Sequence, residues 1–317
     1  MTTIRTVGVI GTGVIGASWT GLFLAHGLRV LVSDPARDAE SKLHAHLESI
    51  WPTLQNVGLA PNAFLSNYQF VGASMQQHYS KLDFVQENAP ERLDLKTKLL
   101  GEIDAETRPE VTIASSSSGL PSSQFIAQCT RAPERVLIGH PFNPPHLMPL
   151  VEVVPHPKTA EASISTALSF YKSLGRKPIH IRQEVPGFAA NRLQAVLCNE
   201  AYSLVSRGVM SAKDLDECVT SSLGPRWAVT GPLMSNAMGG GGGSDGFKHL
   251  LEHLGPATEK WIEDMKAHAF SWTPEQLTAL GDSVAEELGT QSVHELERKR
   301  DATLVELFRL KSKMDTE

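Results

Sequence analysis

His140-Pro-Phe-Asn143 is followed, twelve residues after the histidine, by Glu152. An imidazole titrates near neutrality, so a histidine can take the proton of an alcohol and later return it. A carboxylate on the next strand can hold the far imidazole nitrogen, fix its tautomer and stabilise the imidazolium. Such a pair suits oxidation of a hydroxyl, in which hydride leaves carbon and a base removes the proton. Upstream, Gly11-Thr-Gly13-Val-Ile-Gly16 follows the apolar run Val7–Ile10 and opens a helical pattern, the context in which this spacing points to a dinucleotide. The first glycine permits a tight turn, the second lets backbone approach a pyrophosphate, and the third lets helix and strand pack closely. The helix start adds partial positive charge, which makes Gly11, Gly13, Val14, Ile15 and Gly16 candidate cofactor contacts. Asp34, 23 residues after Gly11, can accept hydrogen bonds from the adenosine ribose; its charge repels a 2′-phosphate and favours NAD over NADP.

Further candidates surround these motifs. Ser115-Ser-Ser-Ser118-Gly119 ends another strand-like run, where hydroxyls can donate to a substrate oxygen without adding charge. The plain alternative is a polar loop capping a helix that starts near Pro121. Asn191 opens a long helical stretch, and its amide can reach a substrate carbonyl or hydroxyl; an asparagine in a first helical turn is also commonly structural. Glu91 and Lys96 follow the strand ending Gln86-Glu87-Asn88, and composition alone reads them as a solvated helix face. Arg226 can clamp a carboxylate through two parallel hydrogen bonds, or be an ordinary surface arginine.

These side chains need a frame that brings strand ends together. Apolar runs at Val7–Ile10, Leu28–Val32, Phe84–Gln86, Val111–Ala114 and Val136–Ile138 alternate with helical patterns, and Leu150–Val154 and Pro178–Ile181 extend the series. That rhythm predicts an α/β chain with an N-terminal Rossmann-type, mostly parallel sheet. From Phe188 to Ser206, Leu193, Leu197, Ala201 and Leu204 recur at helical spacing, and no strand-like alternation follows. Residues 1–186 are therefore expected to form the cofactor-binding domain carrying His140 and Glu152, and residues 187–317 a C-terminal all-helical domain. The run Gly239–Gly243 interrupts the latter as a lid over the substrate or a plain linker.

A chain of 317 residues suits two domains, and a net charge of −6 argues against nucleic acid or an anionic membrane as partner. Apolar runs fall short of the roughly 18 residues that a bilayer span requires. Three cysteines cannot build a disulfide framework and do not stand at metal-ligand spacings. The start runs straight into a strand, which leaves no room for a signal peptide. The expectation is a soluble, cytoplasmic, metal-free enzyme.

Six segments, in order, resemble the 3-hydroxyacyl-CoA dehydrogenase superfamily: Gly11–Gly16, Glu91–Lys96, Ser115–Leu120, His140–Pro144, Leu150–Val153 and Val185–Arg192. The resemblance implies that His140 and Glu152 are the catalytic dyad and that Ser118 and Asn191 contact substrate. It also implies that Asp34, Glu91, Lys96 and Asn143 contact NAD, and that the helical domain builds a homodimer. Within the superfamily the chain looks most like the lambda-crystallin branch, which includes L-gulonate 3-dehydrogenase, with L-carnitine dehydrogenase nearby; Leu223-Gly-Pro-Arg226-Trp227 is similar to both. Acyl-CoA members carry several lysines in the helix that follows Arg37, whereas here only Lys42 does. Few cationic partners for the CoA phosphates favour a small free 3-hydroxy acid, read by Arg226 across the domain cleft. The alternatives are a 3-hydroxyacyl-CoA dehydrogenase, an L-carnitine dehydrogenase and a crystallin-like structural protein that binds NAD. L-carnitine would need an aromatic cage for its quaternary ammonium; Trp227 could form one wall, but a single aromatic is not a cage.

Overall fold

The computed structural model describes residues 3–240 and 245–314. The chain divides into two compact units: Met1–Asn191 with Arg300–Leu307, and Arg192–Lys299 with Phe308–Glu317. The division falls a few residues beyond Pro186, because the opening residues of the linking helix stay with the sheet. The segment Arg300–Leu307 of the last helix also packs with the first unit, an assignment that its charged sequence did not disclose.

The first unit is built on eight strands: β1 Thr6–Ile10, β2 Arg29–Ser33, β3 Tyr68–Phe70, β4 Phe84–Glu87, β5 Thr112–Ser115, β6 Val136–Pro141, β7 Leu150–Pro155 and β8 Lys177–His180. They form one sheet in the order β3-β2-β1-β4-β5-β6-β7-β8. Only β6 and β7 are antiparallel, being joined by a short connection with no crossover helix. Helices α1 Val14–Ala25, α2 Ala39–Val57, α3 Leu93–Glu106 and α4 Glu161–Ser173 supply the crossovers. Because both sheet faces are covered, the strands are almost continuously apolar rather than alternating. Val7, Val9, Val30 and Phe84 pack with Trp19 and Phe23 of α1 and Phe170 and Tyr171 of α4. Leu31, Val85, Ile113 and Ile138 pack on the opposite side with Leu100 and Ile103 of α3 and with Phe125 and Phe188.

The strand order reverses between β1 and β4, and ligands of open α/β sheets bind beyond the carboxyl strand ends at such a switch point. Two sequence readings need correction. The segment from Pro121 is a three-residue 3-10 turn, Ser122–Gln124, not a helix. The helix expected from Phe188 is α5 Ala190–Ser206, because Gly187 and Phe188 both have positive φ, at 74° and 51°, outside the helical region. β3 had no sequence signature, since three residues are too few to show alternation.

The second unit is helical: most of α5, then α6 Ala212–Cys218, α7 Gly224–Gly239, α8 Gly246–Ala267, α9 Pro274–Leu288 and the flanks of α10 Val293–Met314. A π turn over Val219–Leu223 leads into α7, which is broken at Gly231, φ 70°, before Pro232. Gly239 and Gly240 close α7; the rest of the glycine run, residues 241–243, lies outside the described residues. Among the described residues no helix is long and apolar enough to cross a membrane.

Candidate active site and cofactor crevice

The glycine loop joins β1 to α1 at the switch point. Gly11 takes φ 91°, and a Cβ there would stand 2.7 Å from the Asn88 carbonyl oxygen. At Gly16 a Cβ would stand 1.9 Å from the Gly11 carbonyl oxygen, so the turn closes only around glycine. Gly13 faces open space. The α1 N-terminus has no side-chain cap and no acidic residue in its first turn. Its first N–H groups, from Val14 to Gly16, have no intrahelical acceptor, which is how a helix start presents donors to an anion.

Asp34 follows β2, with its carboxylate fixed by the loop. Oδ2 accepts from Thr12 N at 2.7 Å and Thr12 Oγ1 at 2.8 Å, and Oδ1 accepts from Ala36 N at 2.8 Å. A carboxylate can accept about four hydrogen bonds, which leaves one site for a ribose hydroxyl. Thr12 was missed in the sequence reading, since the second position of a glycine motif carries no side-chain signal of its own.

Glu91 lies between β4 and α3. Its Oε1 accepts from Ser117 Oγ at 2.7 Å and from the backbone N–H groups of Ser118, Gly119 and Leu120 at 3.0, 3.0 and 3.2 Å. Burial pushes this carboxyl up, but the Ser117 hydroxyl, the loop amides and the Lys96 charge outweigh it, and the pKa falls below the ordinary value. Glu91 therefore ties down the loop carrying Ser118. Lys96 is fully buried, not part of a solvated face, and this overturns the compositional reading. Its ammonium donates to both Glu87 oxygens at 3.0 Å and to Ala89 O at 3.1 Å, with Glu91 Oε2 at 3.8 Å. The resemblance gives Lys96 to the cofactor; the geometry gives its three protons to neighbouring protein oxygens. Glu87, which also accepts from Ser115 Oγ, is the buried carboxylate that makes this possible; it closes β4 between Gln86 and Asn88, a polar context that gives no local sign of burial.

A second buried network runs beneath the same edge. Ser116 Oγ accepts from Trp19 Nε1 at 3.1 Å and Gln86 Nε2 at 2.8 Å and donates to Asn88 Oδ1 at 2.7 Å. Gln86 accepts from Tyr171 OH at 2.6 Å and reaches Gly139 O, beside His140. These contacts fix the ends of β4, β5 and β6 against one another.

His140 lies near the end of β6, directly opposite Glu152 in the register with β7. Its Nδ1 is 2.9 Å from Glu152 Oε2. An ionised carboxylate only accepts, so Nδ1 carries a proton, and in the neutral form of the ring Nε2 is the nitrogen that keeps its lone pair. Nε2 has no hydrogen bond among the described residues. Glu152 is fully buried, and its Oε1 accepts from Ala189 N at 2.9 Å and Ala190 N at 3.1 Å, at the start of α5. Burial raises this carboxyl, but the bonds from His140, Ala190 and Ala189 and the His140 charge overcome it, so the pKa lies below the ordinary value. His146, nearby in the chain, is unlike His140: burial pushes its pKa down to about 4, and its Nδ1 faces Ser18 Oγ at 3.3 Å.

Ser118 is exposed, and its hydroxyl makes no bond among the described residues. Asn191, in the first turn of α5, donates from Nδ2 to Ser118 O at 2.7 Å, which leaves its Oδ1 available. Asn143 is exposed on the turn after His140, before a cis peptide bond to Pro144. The structure thus brings His140, Glu152, Ser118, Asn191 and Glu91 into one bonded neighbourhood. Arg226 is exposed in the first turn of α7, in the second unit. Among the described residues no cluster of three or more histidine, cysteine or acidic side chains could hold a metal.

Residues 6–185 match the NAD-binding domain of 3-hydroxyacyl-CoA dehydrogenase and residues 187–269 match its C-terminal domain. The chain belongs to the 3-hydroxyacyl-CoA dehydrogenase family. It is 51% identical, over 98% of this chain and 96% of the relative, to a 3-hydroxyacyl-CoA dehydrogenase of Gibberella moniliformis. It is 43% identical, over 96% of this chain and 93% of the relative, to an L-carnitine dehydrogenase of Pseudomonas aeruginosa. Among solved structures it is similar to 5-formyl-3-hydroxy-2-methylpyridine 4-carboxylic acid 5-dehydrogenase, an NAD-dependent dismutase, with TM-score 0.77, 29% identity, and 98% and 99% of the two chains covered. The (S)-3-hydroxybutyryl-CoA dehydrogenase of Ralstonia eutropha aligns with TM-score 0.62, 30% identity, and 80% and 87% coverage. As a member of this family the chain is an NAD-dependent oxidoreductase acting on a hydroxyl group. The residues after β1 and β2 fit that cofactor: an uncapped helix start, a glycine turn closed to any Cβ at Gly11 and Gly16, and a fixed carboxylate at the end of β2. Bound NAD supplies the hydride acceptor.

Proposed function

We propose that the protein oxidises a small free 3-hydroxy acid, of the L-gulonate type, to the 3-keto acid. The observation that carries this reading is the His140–Glu152 pair, with Nδ1 on Glu152 and Nε2 without a hydrogen bond among the described residues, while Asn191 holds the Ser118 loop. His140 Nε2 takes the hydroxyl proton as hydride leaves C3, and Glu152 stabilises the resulting imidazolium. Ser118 Oγ and Asn191 Oδ1 hold the reacting oxygen and its neighbours. Gly11, Gly13, Val14, Ile15, Gly16, Asp34 and Asn143 meet NAD; Glu91 and Lys96 serve the site through the Ser118 loop and Glu87. Arg226 binds the substrate carboxylate. The sequence division assigns cofactor and dyad to residues 1–186 and substrate selection to residues 187–317.

The preference for a free acid rests on α2, where Lys42 is the sole lysine or arginine and Glu40 and Glu48 add negative charge. Three phosphate groups of CoA would find little compensation there. The Gibberella relative supports a second reading, a 3-hydroxyacyl-CoA ester as substrate, and the Pseudomonas relative supports L-carnitine within the free-acid class. Self-association through the helical unit is part of the proposal: Leu193, Val196 and Leu197 stand exposed in one stripe of α5. NADH formation with L-gulonate, L-carnitine, L-3-hydroxybutyrate and a 3-hydroxyacyl-CoA, compared at equal concentration, tests the reading. Preference for a free acid supports it; preference for the CoA ester overturns it.

A further inference from the structure

Phe188 combines two features that rarely occur together. Its backbone takes φ 51°, where L side chains are uncommon and glycine or asparagine is the usual occupant. Its side chain is nevertheless a bulky aromatic with no exposed surface. The turn is held on both sides: Gly187 N donates to Gly119 O at 3.1 Å, and Phe188 N donates to Val185 O at 3.0 Å. The next two N–H groups, of Ala189 and Ala190, donate to Glu152 Oε1. The Phe188 ring lies 5.7 Å from the His140 ring at 55°, and the Phe142 ring lies 5.6 Å from it at 63°. The imidazole thus has two aromatic neighbours, while Glu152 fixes one nitrogen. One hydrogen bond leaves a ring free to swing about that bond, whereas close-packed rings restrict the swing.

We propose that Phe188 is a positioning residue for His140: its left-handed backbone turns the ring onto the imidazole and, through the following N–H groups, holds the carboxylate that orients the same imidazole. The strained conformation is retained because a residue relaxed at this φ would not carry the ring. The inference rests on His140 as the base of the proposed reaction.

Phe188→Leu keeps apolar volume without a ring face, and Phe188→Asn accepts the positive φ without either. With the full-length protein and its best substrate, kcat is expected to fall about tenfold or more in both variants, while KM for NAD stays unchanged. The solvent deuterium isotope effect on kcat should rise, because a wandering base makes proton transfer more limiting. Phe188→Tyr, which keeps the ring, should recover most of kcat. Wild-type kcat and isotope effect in Phe188→Leu overturn the proposal, as does full activity in Phe188→Asn. If Phe188→Leu fails to bind NAD, Phe188→Asn, which relaxes the turn, carries the decision, and Phe188→Met replaces it should that variant also lose NAD. If the wild type binds NAD yet oxidises no 3-hydroxy acid, the functional reading fails separately. The His140 ring-proton resonances then decide: displaced and broadened signals in Phe188→Leu support the positioning role, and unchanged signals overturn it.

Discussion

Replacing Glu152 by glutamine changes one atom and should remove nearly all turnover. The carboxylate receives three bonds: His140 Nδ1 on Oε2, and the Ala189 and Ala190 N–H groups on Oε1. In the variant, the amide oxygen stays opposite the two backbone donors, because turning the NH2 toward them would forfeit two hydrogen bonds, each worth about 0.5–1.5 kcal/mol net, and set donors against donors. The amide NH2 therefore faces His140 Nδ1 and donates to it. That contact puts the imidazole proton on Nε2, the nitrogen that must accept the substrate proton. Loss of the correct tautomer in a comparable buried carboxylate–imidazole pair lowers kcat by about 10⁴. A fall of about 10³–10⁴ is expected here, or about 4–5.5 kcal/mol of transition-state stabilisation. Steady-state NADH formation reads the loss, and calorimetric NAD binding should be unchanged, since the glycine loop and Asp34 are untouched. Glu152→Asp keeps the charge and should fall between the two. A Glu152→Gln protein that binds NAD and keeps kcat within about threefold of wild type would refute the tautomer argument.

Other perturbations give distinct readouts. Lys96→Met leaves the Glu87 carboxylate fully buried without its ammonium, and chemical denaturation should show a loss of about 3–5 kcal/mol; a loss under about 1 kcal/mol contradicts the ion-pair account. Asp34→Ala should weaken NAD about tenfold and narrow the preference over NADP, and equal NAD affinity in variant and wild type would remove Asp34 from the site. Glu91 and Glu152 both have depressed pKa values in the folded state, so the stability they contribute is present above the unfolded value of about 4.3 and is lost as pH falls through their folded values. Urea midpoints should therefore decline on acidification in that window, and Glu152→Gln should flatten the decline; a parallel decline would contradict the assignment.

Several of these residues were legible because their spacing survives in one dimension. Two strand partners with a short connection leave a fixed interval, so His140 and Glu152 could be paired before the register showed them opposite each other. The glycine loop reads equally directly, because the backbone turn at Gly11 excludes a side chain. What depends on packing was not legible. Lys96 sits on a helix of mixed polarity, and only the distant Glu87 explains why it is buried. Glu91 acts on amides of a loop nearly thirty residues away, a relation with no local pattern. The start of α5 was misplaced because the positive φ of Phe188 is imposed by tertiary contacts and contradicts its residue type. β3 is an edge strand set by pairing with β2 rather than by its own three residues.

The measurement that bears most directly on the central claim is NADH formation by wild type and His140→Ala over the panel of free 3-hydroxy acids, with NAD binding followed in the same preparations. The account predicts clear turnover of at least one free acid by wild type, a loss of about two orders of magnitude or more in the variant, and equal NAD affinity in both. Turnover retained in His140→Ala, with NAD bound normally, would contradict it.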